Sequence, residues 1–242
     1  MNFYKDKIIF TGATGRFGKI FKDQYPNKNI LYPSKKVFNI KNYNSVFNFL
    51  KKKKIKLIIH SAALSRPMDI HQKNPDQSIK TNIIGTANIV IACMQLNIKI
   101  IYFSTNYVYP SNKKNSKECD PILPINKYAV SKLGGECAVQ MYNNSLILRI
   151  AMTEKPFLHE KAFSDVFANY LYHDEVALLI PKIINYKGIL NIGGNVRSFY
   201  NFAKLSNPQV KKIKAKNLLK KNYYMYQTIN TKKLNKLLNK KY

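Results

Sequence analysis

The chain has 242 residues, 45% of them hydrophobic, which suits one large domain or a domain with a lobe. It carries 41 Lys and Arg against 12 Asp and Glu, a formal charge of +29. The basic residues are almost all Lys and run along the whole chain, where charge alone signals neither fold nor function. Specific nucleic-acid recognition is therefore not the expectation; weak, salt-sensitive binding to polyanions is. No apolar run approaches the roughly 18 residues of a transmembrane helix, and the N-terminus lacks a signal-peptide core. Cys93, Cys119 and Cys137 are scattered, with no metal-ligand spacing. The expectation is a reduced, cytoplasmic protein with no metal and no membrane partner.

In chain order, "KIIFTG" (7–12) is a short apolar run ending in glycine, a buried-strand signal. A helix opens at Arg16. "NILYP" predicts a second strand stopped by Pro33, and "YNSVFNFLKKKK" has helical spacing. "IKLIIHSAA" is a third strand, "QSIKTNIIGTANIVIACMQLN" a long helix, and "IKIIYFST" a fourth strand. A helix carrying Tyr128 and Lys132 precedes a fifth strand, "NSLILRIA". Uniformly apolar strands alternating with helices predict a parallel sheet covered on both faces, a doubly wound Rossmann-type α/β fold. Past Ala151 the rhythm weakens. A helix near "HDEVALLIPKIINY", a strand at "GILNIGG", a short helix at "SFYNFAKLS" and a basic tail follow. The expected division is a nucleotide-binding domain over 1–150 and a small substrate-binding lobe over 151–242. The lysine clusters at 51–56 and 210–221 read as helix ends and exposed faces.

"TGATGRFG" places Gly12, Gly15 and Gly18 directly after the first strand and at the opening of a helix. Gly12 allows a tight turn, Gly15 lets backbone approach a pyrophosphate, and Gly18 lets the helix pack on the sheet. The helix N-terminus presents free amides and the positive dipole end to phosphate. After the second strand there is no acid for a ribose 2′-OH. Lys35 and Lys36 stand there, with Arg16 in the turn, so NADP(H) is favoured, with NAD(H) the alternative.

These motifs, with "SAA" at 61–63, "TNIIGT" containing Asn82, "FSTNYVY" containing Ser104 and Thr105, and "YAVSKLGGE" at 128–136, occur in one order. Together they resemble the extended short-chain dehydrogenase/reductase superfamily, which acts on nucleotide-linked sugars. Within it they are most similar to the dTDP-4-dehydrorhamnose reductases. The resemblance covers about residues 1–150 well and the rest more loosely. It departs at Asn106, where those reductases carry Asp, and in the length of the substrate lobe. Asn106 and Tyr107 stand where sugar-nucleotide 4,6-dehydratases place an Asp-Glu pair, so the acid for water elimination is missing.

The resemblance implies cofactor contacts from Gly12, Thr14, Gly15, Arg16, Phe17 and Gly18 in the turn, and from Lys35, Asn39 and Ile40 after the second strand. It adds Ser61, Ala62, Ala63, Ser104, Tyr128 and Lys132. Tyr128 and Lys132 lie four apart on one helix face. A neighbouring ammonium is expected to lower the phenol pKa, and Tyr128 then protonates a carbonyl oxygen as hydride reaches its carbon. Thr105 is expected to hydrogen-bond the same oxygen. By resemblance Lys132 holds the nicotinamide ribose and Asn82 supports it through water. Thr105, Asn106 and Tyr107 face the substrate. Arg66 and Arg149 are candidates for a substrate pyrophosphate or for ion pairs. His60, His71, His159 and His173 have no metal or triad spacing; His159 lies where the lobe closes. The implied function is NAD(P)H-dependent reduction of the C4 keto group of a nucleotide-linked 4-keto-6-deoxy sugar. Alternatives are a sugar-nucleotide epimerase, or a non-catalytic NADP-binding subunit such as the regulatory subunit of methionine adenosyltransferase. Expected partners are the nucleotide-sugar and, as an open assembly, a second copy in a homodimer.

Overall fold

The computed structural model describes residues 1–218 and 225–239. Six parallel strands form the central sheet, in the order β2 (Ile30–Leu31), β1 (Ile8–Thr11), β3 (Leu57–His60), β4 (Lys99–Thr105), β5 (Ser145–Ile150) and β10 (Gly188–Ile192). The fold is the expected doubly wound α/β arrangement. The strand order reverses between β1 and β3, and in such sheets the crevice at the strands' carboxyl ends there is where ligands bind.

Both faces are covered because the strands are apolar on both sides. Ile8 and Phe10 face one layer and Ile9 the other, as the period of two requires. The first layer is α1 (Arg16–Gln24), α7 (His173–Ile183) and α10 (Lys232–Leu238), with Phe17, Phe21, Val176, Ile180 and Leu234 buried. The second is α2 (Tyr43–Lys53), α5 (Gly85–Leu96) and α6 (Lys127–Gln140), with Val46, Leu50, Ile89 and Val139 buried. Asn42 and Asn126 cap α2 and α6, accepting from the amides of Ser45 and Ala129.

The long helix expected before β4 is one run, Pro75–Leu96, of 22 residues. It begins as α4 (Pro75–Ser78), just after a short α3 (Ile70–Lys73), passes through a π-helical segment, Ile79–Ile84, and continues as α5. By length and composition alone it is apolar enough to cross a membrane, contrary to the expectation that no such run exists. In the fold it is a covering layer, packed against α2 and α6. Close approach to α6 requires Gly135: a Cβ there would lie 2.5 Å from the Asn82 carbonyl oxygen.

Beyond β5 the chain makes small sheets at the carboxyl end of the central one: β6 (Met152–Thr153) with β9 (Leu171–Tyr172), and β7 (Lys161–Phe163) with β12 (Lys211–Ile213). A third joins β8 (Phe167–Ala168), β11 (Arg197–Ser198) and β13 (Tyr226–Gln227), and α8 (Phe199–Ala203) and α9 (Ala215–Leu218) pack among them. The lysines at 51–54 end α2 and are exposed, and Lys211, Lys212, Lys214 and Lys216 are exposed, as expected. Val210 is buried beside β12, and the tail supplies α10. Residues 219–221 of one cluster and 240–242 of the tail lie outside the described residues.

Candidate functional site

A cavity of about 1250 Å³ opens at the carboxyl ends of β1, β3, β4 and β5, facing the small sheets. Its floor is the glycine turn. Gly12 has φ +83°, and a Cβ on it would sit 2.8 Å from the Ala62 amide nitrogen. A Cβ on Gly18 would sit 2.1 Å from the Gly12 carbonyl oxygen, so only glycine lets α1 approach its own turn. Gly15 caps α1 without a side chain, leaving the helix amides directed at the cavity. That cradle fits a dinucleotide pyrophosphate.

Thr14, Arg16 and Phe17 line the floor beside the glycines. Lys35, Asn39 and Ile40 line the end beyond β2; Lys36 is exposed and does not. Among the described residues the acids in the lining are Glu154 and Glu160, neither near β2 in sequence, so the second-strand end carries cations where an NAD-type site would carry an acid. Ser61, Ala62 and Ala63 follow β3 into the wall, and Ser104, Thr105, Asn106 and Tyr107 follow β4. Thr11 stiffens this corner: its hydroxyl accepts from the Ala62 amide and bonds His60 Nδ1 at 2.8 Å, and His60 Nε2 meets Thr86 at 3.0 Å. Burial pushes His60 down to about 3, so it is a neutral strut.

Thr105, Tyr128 and Lys132 all line this cavity. The Thr105 hydroxyl accepts from the Tyr107 amide at 3.2 Å, which leaves its own proton free to donate into the cavity. Lys132 is buried, its Nζ 4.2 Å from the centroid of the Tyr102 ring. Burial pushes Lys132 down to about 7, against a raising influence of Glu136. Tyr128 is pushed up to about 12, first by burial and then by Tyr107, while Arg16 and Arg66 pull the other way. The expectation that Lys132 draws the phenol pKa down is thus overturned. The ammonium turns inward over Tyr102, and burial dominates. A phenol held near 12 keeps its proton at neutral pH.

Asn82 and Arg149 are not in the cavity lining. Asn82 is fully buried in the π-helical segment. Its amide donates to Ser131 Oγ at 2.8 Å and to the Leu64 carbonyl at 2.9 Å, and its oxygen accepts from the Leu64 amide at 2.7 Å. It ties the β3 loop to the residue before Lys132. Arg149, expected near substrate, is 3% exposed. Its Nε and Nη2 donate to Glu136 Oε1 at 3.0 and 2.6 Å, and Nη1 to Tyr109 Oη at 2.9 Å. Second-last in β5 and on the same face as Ile147, its side chain stands against the layer where α6 supplies Glu136, not out of the strand's end. Ser104 donates to the other Glu136 oxygen at 2.5 Å, so its hydroxyl is committed to this network.

The lining also carries Glu154 and Tyr170, which the sequence reading did not single out, and His159 and His173, for which it assigned no role. Glu154, just after β6, pairs with Arg16 and lies 3.6 Å from Arg66. Tyr170 shares a 2.9 Å hydroxyl contact with Tyr107. His173 presents a buried ring 5.7 Å from Phe17. The scarcity of acids was the available signal for Glu154: with 12 in the chain, one directly after the fifth strand stands out. No His, Cys, Asp and Glu grouping among the described residues suits a metal.

A family model described as RmlD substrate binding domain matches residues 6–173. Methionine adenosyltransferase 2 subunit beta of Pongo abelii is 26% identical over 189 residues, 73% of this chain and 56% of that protein. The dTDP-4-dehydrorhamnose reductase of Mycolicibacterium smegmatis is 28% identical over 137 residues, 55% of this chain and 41% of that one. The chain thus spans about half the length of the curated relatives it matches. Among solved structures, dTDP-4-dehydrorhamnose reductase of Bacillus anthracis in complex with NADP superposes with a TM-score of 0.84. It is 24% identical, and the match covers 98% of this chain and 93% of that one, a likeness of fold.

Proposed function

The chain belongs to the RmlD substrate-binding-domain family, and from that premise we propose that it is an NADPH-dependent reductase of a nucleotide-linked 4-keto-6-deoxy sugar. The observation that supports this reading is that Thr105, Tyr128 and Lys132 line the same cavity as the glycine turn. When bound, NADPH supplies the hydride. The protein's part is to hold and protonate the reacting carbonyl. Thr105 donates a hydrogen bond to its oxygen and Tyr128 delivers the proton. Lys132 lines the cavity with its ammonium over Tyr102; turned toward the ligand it would favour charge building on that oxygen and hold the nicotinamide ribose. Asn82 and Ser131 hold the start of α6 in register with the β3 loop, so the phenol and ammonium keep their places. The Lys35 end suits a 2′-phosphate.

The test is NADPH oxidation, followed at 340 nm, with dTDP-4-dehydrorhamnose. Turnover that needs both Tyr128 and the nucleotide-linked ketone supports the reading. NADPH binding with no turnover on this or on related nucleotide-linked ketosugars sinks it.

A second reading is favoured by the match to the methionine adenosyltransferase subunits, which covers more of this chain than the reductase match does. On that reading the chain is a cofactor-binding regulatory subunit. It predicts tight NADPH binding, no reductase turnover and a copurifying catalytic partner.

A further inference from the structure

Four of the chain's 41 basic residues are arginine: Arg16, Arg66, Arg149 and Arg197. Where lysine fills nearly every cationic position, a guanidinium marks a place that uses its flat, multi-donor fork. Arg149 spends that fork inside the core on Glu136 and Tyr109. Arg16 and Arg66 present theirs to the cavity. Arg16 is the first residue of α1, and Arg66 lies in the loop after β3. Both reach the carboxylate of Glu154 on the opposite wall, Arg16 to Oε1 and Arg66 to Oε2 at 3.6 Å. The arginine side chains remain 43% and 50% exposed, open to a ligand, while Glu154 is 15% exposed.

The charges do not balance. Two guanidiniums share one carboxylate, so the cluster keeps a positive charge. Six cations line the cavity, Arg16, Lys35, Lys41, Arg66, Lys132 and Lys161, against Glu154 and Glu160. One carboxylate uses few of the ten N–H donors that two guanidiniums offer. Beside them His173 is buried, with Nδ1 unpartnered among the described residues, and it feels Glu154, Arg16 and Arg66 electrostatically. The loop that carries Arg66 is tied through Leu64, Asn82 and Ser131 to the start of α6, where Tyr128 stands, so the cluster and Tyr128 share one part of the lining.

We propose that Arg16 and Arg66 form a diphosphate subsite beside Tyr128 that Glu154 fills as a built-in carboxylate, and that a diphosphate-bearing ligand binds by taking the place of Glu154 on the two guanidiniums. The choice of a diphosphate rests on the reading of the cavity as a site for a dinucleotide and a nucleotide-linked sugar, each of which carries one. A diphosphate brings more charge and more acceptors than a carboxylate, so it wins the exchange where a singly charged anion does not. Glu154 then sets selectivity: it holds both forks oriented while the site waits and raises the threshold for weak anions.

The test is calorimetric titration of the full chain with inorganic pyrophosphate at low salt. Glu154→Gln removes the competing charge and keeps the shape, and should tighten pyrophosphate by about 10-fold. Arg66→Lys and Arg16→Lys keep the charge but lose the fork, and should each weaken it by several-fold. Unchanged or weaker binding in a Glu154→Gln protein that melts normally overturns the proposal. Should that variant not fold, an Arg66→Lys protein that binds pyrophosphate as tightly as the parent overturns it instead. Two further arms assign the source. Tightening of dTDP by Glu154→Gln in NADPH-saturated protein gives the subsite to the substrate; tightening of NADPH alone gives it to the cofactor. Pyrophosphate tightening with no dTDP binding to either protein would leave the subsite standing and sink the nucleotide-sugar reading.

Discussion

Arg149→Met tests whether the arginine of β5 serves the core or the substrate. Arg149 and Glu136 are 3% and 0% exposed, so solvent screens their contact little. Truncating the guanidinium removes two bonds to Glu136, one to Tyr109 and one to the Glu118 carbonyl, and leaves a buried carboxylate held only by Ser104 on one oxygen and Gln140 on the other. Removing one partner of such a pair costs about 3–5 kcal/mol. With a urea m-value of roughly 3 kcal/mol/M, the unfolding midpoint falls by roughly 1–1.7 M. The double variant Arg149→Met, Glu136→Leu removes both charges and should recover at least half the loss, since a buried pair replaced by apolar groups is often neutral. Urea melts of the four proteins give the cycle. In protein that stays folded, KM for the nucleotide-sugar should change by less than about threefold. A midpoint within about 0.3 M of the parent's, with KM raised 10-fold or more, would refute the core assignment and return Arg149 to the substrate.

Tyr128→Phe should lower turnover by at least about 100-fold with the NADPH dissociation constant within twofold; near-normal turnover removes the phenol from the chemistry. Gly18→Ala drives a methyl against the Gly12 carbonyl, 2.1 Å away, and should cost about 1–3 kcal/mol and most cofactor affinity. Gly188→Ala, at φ +88° with open space around it, should cost about 1–2 kcal/mol and leave cofactor binding unchanged; equal cofactor losses in the two would be evidence against the cradle. Lys132 titrates near 7 in the fold against 10.5 in the unfolded chain, so between these values the unfolded chain holds the extra proton. Stability therefore rises with pH across that window and falls as pH drops toward 7. Lys132→Met should flatten the rise, and identical slopes in both proteins would place the ammonium in water. Lys35→Ala should weaken NADPH several-fold at low salt and leave NADH unchanged, an effect that fades at high salt; equal losses for both cofactors would move Lys35 away from the 2′ position.

The first five strands, the helices α1, α2, α5 and α6 and the floor of the cavity were legible in the chain alone, because each rests on local pattern; β10, α7 and α10 read as parts of a lobe, and the fold adds them to the central sheet and its first layer. Apolar runs of strand length, helical spacing between them and glycine at 12, 15 and 18 specify geometry within a few residues of themselves. Thr105 ends β4 and Tyr128 stands in the first turn of α6, and both line the cavity with Lys132. What needed the tertiary structure was everything settled by partners distant in sequence. Arg149, near the end of a strand, read as a candidate for a substrate pyrophosphate or for an ion pair; the fold makes it an ion pair, buried against Glu136, 13 residues away. Lys132 read as the group that acidifies Tyr128 because four residues separate them; the fold lays its ammonium over Tyr102 and lets burial raise the phenol. The run from Pro75 to Leu96 is apolar enough for a bilayer, and only packing against α2 and α6 makes it a core layer. Arg16 and Glu154, 138 residues apart, meet across the cavity. No periodicity encodes such a pair, because which charges face one another across a cleft depends on how the two walls are folded toward each other.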